Sequence, residues 1–170
     1  MSSRRYFGVP LLLACCLSGC FAAAHHSSPW EYGGGIRLAP GFRAGSNPAV
    51  TWHPMLSYTY LDFDGGHDAL YELGGQLRWR PTPARKNGGL WLGAEAAAAR
   101  ATESVDGAGS YKFSDSSNGW SLTGLVGTPV GDNRWGLNLY AGAGISNYGS
   151  MGTNVRAGFD LQPWFLKRKK

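Results

Sequence analysis

The sequence predicts an all-β chain: an antiparallel up-and-down β-barrel, eight strands, membrane-spanning. Three observations point there. Apolar and polar residues alternate over one segment after another, compact turns alternate with longer connections, and the tryptophans gather at strand ends. Composition agrees, because 26 glycines spread through apolar segments disfavour helices. Beyond the N-terminal region no stretch approaches the roughly twenty apolar residues of a spanning helix, so a membrane would be crossed by strands.

Taken in order, segment 31–42 sets Tyr32, Ile36 and Leu38 against Arg37 and several glycines. Segment 51–63 alternates less cleanly, and Pro54 within it requires an edge or a bulge. In 71–80, Tyr71, Leu73, Leu77 and Trp79 oppose Glu72, Gln76, Arg78 and Arg80. Around 89–101, Leu90, Leu92, Ala94, Ala96 and Ala98 oppose Trp91, Gly93 and Glu95; flanking glycines and neighbouring strands favour a strand over an Ala-rich helix. Tyr111–Ser114 supplies a short fifth strand, without which the count is seven, and 119–128 a sixth. The clearest alternation is 135–146, where Trp135, Leu137, Leu139, Ala141, Ala143 and Ile145 oppose Asn138, Tyr140, Ser146 and three glycines. Segment 155–165 closes the set, with Val155, Ala157, Phe159 and Leu161 against Arg156, Gly158 and Asp160.

Asp64-Gly65-Gly66, Asp106-Gly107-Ala108-Gly109 and Gly131-Asp132-Asn133 read as compact turns, because these residues tolerate positive φ. The connections 40–50, 81–88, 116–119 and 147–152 are mostly longer and looser. Short turns at one end and longer loops at the other describe a membrane barrel. Trp30, Trp52, Trp79, Trp91, Trp120, Trp135 and Trp164 fall at or near strand ends, where indoles would sit at headgroup level. Capping the ends of a soluble core is the lesser alternative. Period two yields a polar and an apolar face without saying which is inside. In a membrane barrel Arg37, Glu72, Arg78, Glu95, Arg156 and Asp160 would face the lumen and pair there, filling it.

The N-terminus carries Arg4-Arg5, an apolar run from Phe7 to Leu17, and then Leu17-Ser18-Gly19-Cys20. This resembles the signal and lipobox of bacterial lipoproteins, which implies that Cys20 is acylated and opens the mature chain. Cleavage after Ala22-Ala23-Ala24 is the alternative. Ser3-Arg4-Arg5-Tyr6-Phe7 also resembles the twin-arginine export core, a route for folded proteins that would favour a soluble, lipid-tethered domain. The expected division is a signal over 1–19, a tether over 20–29, a barrel over 30–165 and a basic tail over 166–170. All three cysteines lie at or before Cys20, so the mature chain has no internal disulfide. The formal charge of +5 rests on Arg4, Arg5 and Lys167-Arg168-Lys169-Lys170; the remainder is near neutral and offers no basic stripe for nucleic acid.

With alternation, turns and aromatic placement together, residues 30–165 resemble the small outer-membrane barrels of the OmpA and OmpX type. The resemblance implies residence in the outer membrane of a Gram-negative envelope, with membrane lipid and an envelope protein as partners. Such barrels often end on an aromatic residue, whereas here Phe165 is followed by Leu166 and four basic residues.

Candidate chemistry is sparse. Lipid A-modifying barrels of the PagP and PagL types use His with Ser near the outer rim, and His53 with Ser57 is the nearest counterpart. Asp62, Asp64, Asp68 and His67 surround a glycine turn and read as turn chemistry rather than a metal site. The Gly33-Gly34-Gly35 run opens no helix, so it is no phosphate loop. The sequence therefore points to a structural or interaction role without catalysis, cofactor or metal, with contacts through the 40–50 and 81–88 loops. The alternative is a periplasm-facing lipoprotein whose soluble β-barrel or sandwich binds a small apolar ligand or a protein.

Overall fold

The structure, a computed structural model, describes residues 19–26, 30–44, 49–81, 89–106, 112–130, 137–148 and 151–161. Every regular element among them is a strand: β1 (Gly19–His26), β2 (Trp30–Leu38), β3 (Phe42–Arg43), β4 (Val50–Phe63), β5 (Gly66–Trp79), β6 (Trp91–Asp106), β7 (Lys112–Pro129), β8 (Leu137–Asn147) and β9 (Met151–Leu161). All pairings are antiparallel. β1 pairs with β2 on one side and β9 on the other, and β2 pairs with β4, so the sheet closes on itself. Closure leaves no long free edge around the wall.

The two-residue β3 is a continuation of β2. Leu38 opposes Leu56 and Phe42 opposes Trp52, so one register runs through the break at Ala39–Gly41. The barrel therefore has eight strands. That register sets Pro40 opposite Pro54, which explains how a proline sits in mid-wall: the ladder on that side is already interrupted. His53 fills the break, its Nδ1 donating to the carbonyl of Ala39 at 3.1 Å, and Gly41 leaves room for the ring.

Eight strands are present, but two differ from the sequence-based expectation. Residues 20–26 are barrel wall rather than tether: Phe21 and His25 point inward between the exposed Cys20, Ala22 and His26. Short alanines on both faces blur the alternation there. Tyr111–Ser114 and 119–128 are not separate strands, because Lys112–Pro129 is one strand paired with β6 throughout. Ser116-Ser117-Asn118 reads as a loop because it is polar on both faces, yet it is held opposite Arg100–Thr102. The strands end at Leu161, inside the expected 30–165 limit, and Trp164 and Trp135 lie outside the described residues.

These shifts change the ends of the barrel. The connections after β1, β4, β6 and β8 share one end, here the turn end. Those after β3, β5 and β7 share the other, the loop end, with Gly19 and Leu161. The 64–66 turn joins the connections after β6 and β8 at the turn end, the connection after β7 is at the opposite end and 116–119 lies within β7, while 107–109, 131–133 and 149–150 lie outside the described residues.

Inside, volume is matched strand by strand. Phe21, Trp91, Leu125 and Tyr140 form one buried cluster. A Cβ on Gly127 would lie 2.2 Å from the Trp91 ring, and one on Gly158 2.6 Å from the Cβ of Phe21. Glycines on the inward face thus provide space for large neighbours.

Candidate functional site: a paired polar lumen inside an apolar wall

Alternation along β2, β5, β6 and β9 aims Arg37, Glu72, Arg78, Glu95, Arg156 and Asp160 inward, and all six are buried. Three cations meet three anions. Arg37 donates to Glu95 at 2.6 Å, and Arg156 bridges Glu95 at 2.9 Å and Glu72 at 2.5 Å. Arg78 pairs with Asp160, which also accepts from the Asn138 amide at 3.1 Å. Glu72 further accepts from Ser57 (2.7 Å), Ser121 (2.9 Å) and Tyr148 (3.1 Å). Buried charges require such paired and hydrogen-bonded partners.

The arginines have aromatic faces as well. Arg78 lies 4.3 Å over Trp91 and Arg37 4.3 Å over Tyr140. Trp91 is therefore a correction: fully buried, it belongs to the lumen and not to a membrane-interface belt. Its register parity with Glu95 is the signal that reveals this, since both fall on the inward face of β6. Sequence reasoning also missed Tyr148 and Asn138 as partners of the network.

The outward face is the reverse. Trp30, Trp52, Trp79 and Trp120 are 42–49% exposed, and Leu56, Leu73, Leu77, Leu92, Leu122, Leu139, Ile145 and Phe159 are exposed as well. On β4 the exposed aromatics Trp52 and Tyr60 bracket a stretch of about nine residues, and on β5 Tyr71 and Trp79 do the same, which matches the ~9–11 residues of a membrane-crossing strand. Beyond those aromatics the outward face turns polar, with Asp62 and Asp64 after β4's stretch, and on β6 Arg100 stands in the row of Tyr71. So large an apolar surface is foreign to a water-soluble monomer. It matches the outward band of a membrane barrel.

The remaining candidates are not assembled. His53 and Ser57 both point inward, but His53 Nε2 accepts from Thr51 at 3.0 Å while Ser57 donates to Glu72. Four residues apart on one strand, they stand roughly 13 Å from each other along its axis. Asp62 and Asp64 are exposed, whereas Asp68 turns inward beyond Tyr71. Its carboxyl is pushed up to about 6 by burial first and then by Glu31 and Glu103. Among the described residues no group of three or more His, Cys, Asp or Glu side chains could hold a metal ion. Cys20 stands exposed on the outer face, at the loop end of β1.

No known family profile matches the chain, and no curated protein matches it by sequence. Solved structures do. Neisserial surface protein A is 18% identical with a TM-score of 0.59, the match covering 85% of this chain and 92% of that one. Ail, the attachment invasion locus protein of Yersinia pestis, is 13% identical with a TM-score of 0.51, covering 84% and 93%. At such identities the likeness concerns fold alone, and the fold is the closed eight-stranded antiparallel β-barrel seen in outer-membrane barrel proteins.

Proposed function

We propose that the chain resides in the outer membrane of a Gram-negative envelope and serves there as a structural or interaction protein, lipid-anchored at Cys20. One observation carries the reading: ions point inward and large apolar side chains outward around a closed wall. A soluble carrier of a small apolar ligand requires the opposite arrangement, and the interior here is taken up by ion pairs and the Trp91 cluster. An enzymatic role has no support from His53 and Ser57, whose polar atoms serve other partners. Contacts with an envelope partner would come from the loop end, where residues 40–44 and 49–50 flank one connection and 81 and 89 another.

The wall supports processing at Cys20 over cleavage after Ala24. Cleavage after Ala24 would remove six of the eight residues of β1, which pairs on both sides, and leave His25 and His26 alone to close the barrel. Processing at Cys20 spares all but Gly19. An S-linked lipid there would emerge from the outer face directly into a bilayer.

The test is gel mobility with and without boiling, on envelopes washed with urea or carbonate, from cells labelled with radioactive palmitate. The expected result is a labelled protein that stays in the membrane and shifts on heating, with the label lost in Cys20→Ser. Release by the wash with no heat shift would overturn the barrel reading. A heat shift without label would overturn the anchor alone.

A further inference from the structure

The outer face carries a groove. β6 presents Ala96 and Ala98 between the larger Leu73 of β5 and Trp120 and Leu122 of β7, leaving an open depression of about 420 Å³ on the wall. Ala94 continues its floor, Gly124 keeps the flank on the β7 side low, and the Trp52 indole lies over Gly75 on the β5 side. From Ala94 to Arg100 the floor runs roughly 20 Å along the strand. Arg100 ends it, outward and exposed, with Tyr71 and Asn118 directly opposite on the two neighbouring strands. Among the described side chains it is the one Lys or Arg on the outward face of a strand.

We propose that this groove is a binding site for one anionic phospholipid, an acyl chain lying along Ala94–Ala98 and the phosphate meeting Arg100. The two halves of the site suit the two halves of such a molecule. A guanidinium takes phosphate in a forked, charge-assisted geometry, and Tyr71 and Asn118 add neutral hydrogen-bonding groups at the same level. Below them the groove offers apolar walls and a floor without protruding side chains. Arg100 sits at the row where β6 changes from alanine to polar residues, the depth at which lipid phosphates are found. A second copy of the barrel fits less well. Two copies related by an axis along the membrane normal would bring their Arg100 side chains to one level, where like charges repel.

The site rests on the outer-membrane reading, and its test separates the two. Trp120, in the groove wall, is a built-in reporter. The full chain is placed in phosphatidylcholine vesicles containing phosphatidylglycerol, with bromines on the acyl chains of one lipid or the other. The Trp120 signal is the difference between the protein and its Trp120→Phe variant. Brominated phosphatidylglycerol is expected to occupy the groove with about fivefold preference. Arg100→Gln should abolish the preference, and Ala96→Leu, which fills the floor, should weaken quenching by both lipids; a retained heat shift shows that each variant folds. Equal quenching by the two lipids overturns the site while leaving the membrane barrel intact. No quenching by either overturns the membrane reading itself. A cross-linked dimer through Ala98→Cys at native abundance assigns the face to a second copy and likewise overturns the proposal.

Discussion

Glu72 is the most heavily engaged side chain of the lumen, facing Ser57, Ser121, Tyr148 and Arg156. Removing it strands part of a buried guanidinium, so Glu72→Ala should lower the unfolding free energy by about 3–5 kcal/mol. Denaturant titration in micelles or vesicles measures this. Adding Arg156→Met should recover part of the loss, because Glu95 keeps Arg37. Asp68 gives the opposite sign. Its folded-state carboxyl is raised to about 6 from an ordinary value near 4, so the folded state holds a proton that the unfolded chain has lost. Stability from this group is complete below pH ~4 and fades as pH rises through ~6. Asp68→Asn should therefore stabilise the barrel at pH 7 and change little at pH 4, seen as midpoints that converge on acidification. Single residues also mark where sequence is informative. The alternation that puts Glu72, Arg78 and Arg156 on one face is legible without coordinates, and so is the inward parity of Trp91. Which acid pairs with which arginine is not, since Arg156 and Glu72 are 84 residues apart and meet only because the wall closes.

At the level of elements, strands whose two faces differ in chemistry are easy to read, and strands whose faces match are not. β8 and β9 stand out because Leu139, Ala141 and Val155 oppose Asn138, Arg156 and Asp160. β1 hides because Ala22, Ala23 and Ala24 are alike on both sides, and the turn-end half of β7 hides because both its faces are polar. The eight-strand count survives these two misreadings only because they offset each other. The role of β1 is open to direct test. A chain shortened to begin at His25 behind an ordinary export signal should fail to give the heat-shifted form, since it lacks the ladders joining β2 to β9. One beginning at Cys20 should retain it. Equal heat shifts from both would show that β1 is dispensable.

For the molecule as a whole, the decisive property is an inversion. Period-two patterning separates two faces, but only closure decides which looks outward, and here the charged set is enclosed while the leucines and tryptophans are displayed. The same closure has a temporal side. Its last ladder joins Gly19 to Asp160 and His26 to Thr153, the two most distant stretches of the described chain. As the polypeptide emerges, β1 is available first and waits for its partner until nearly everything else has been delivered. Throughout that interval its backbone donors and acceptors are an adhesive border, open to any extended segment nearby. Shielding that border until β9 arrives would therefore protect the unclosed chain. Slowing the final third of synthesis should harm this protein more than slowing the first.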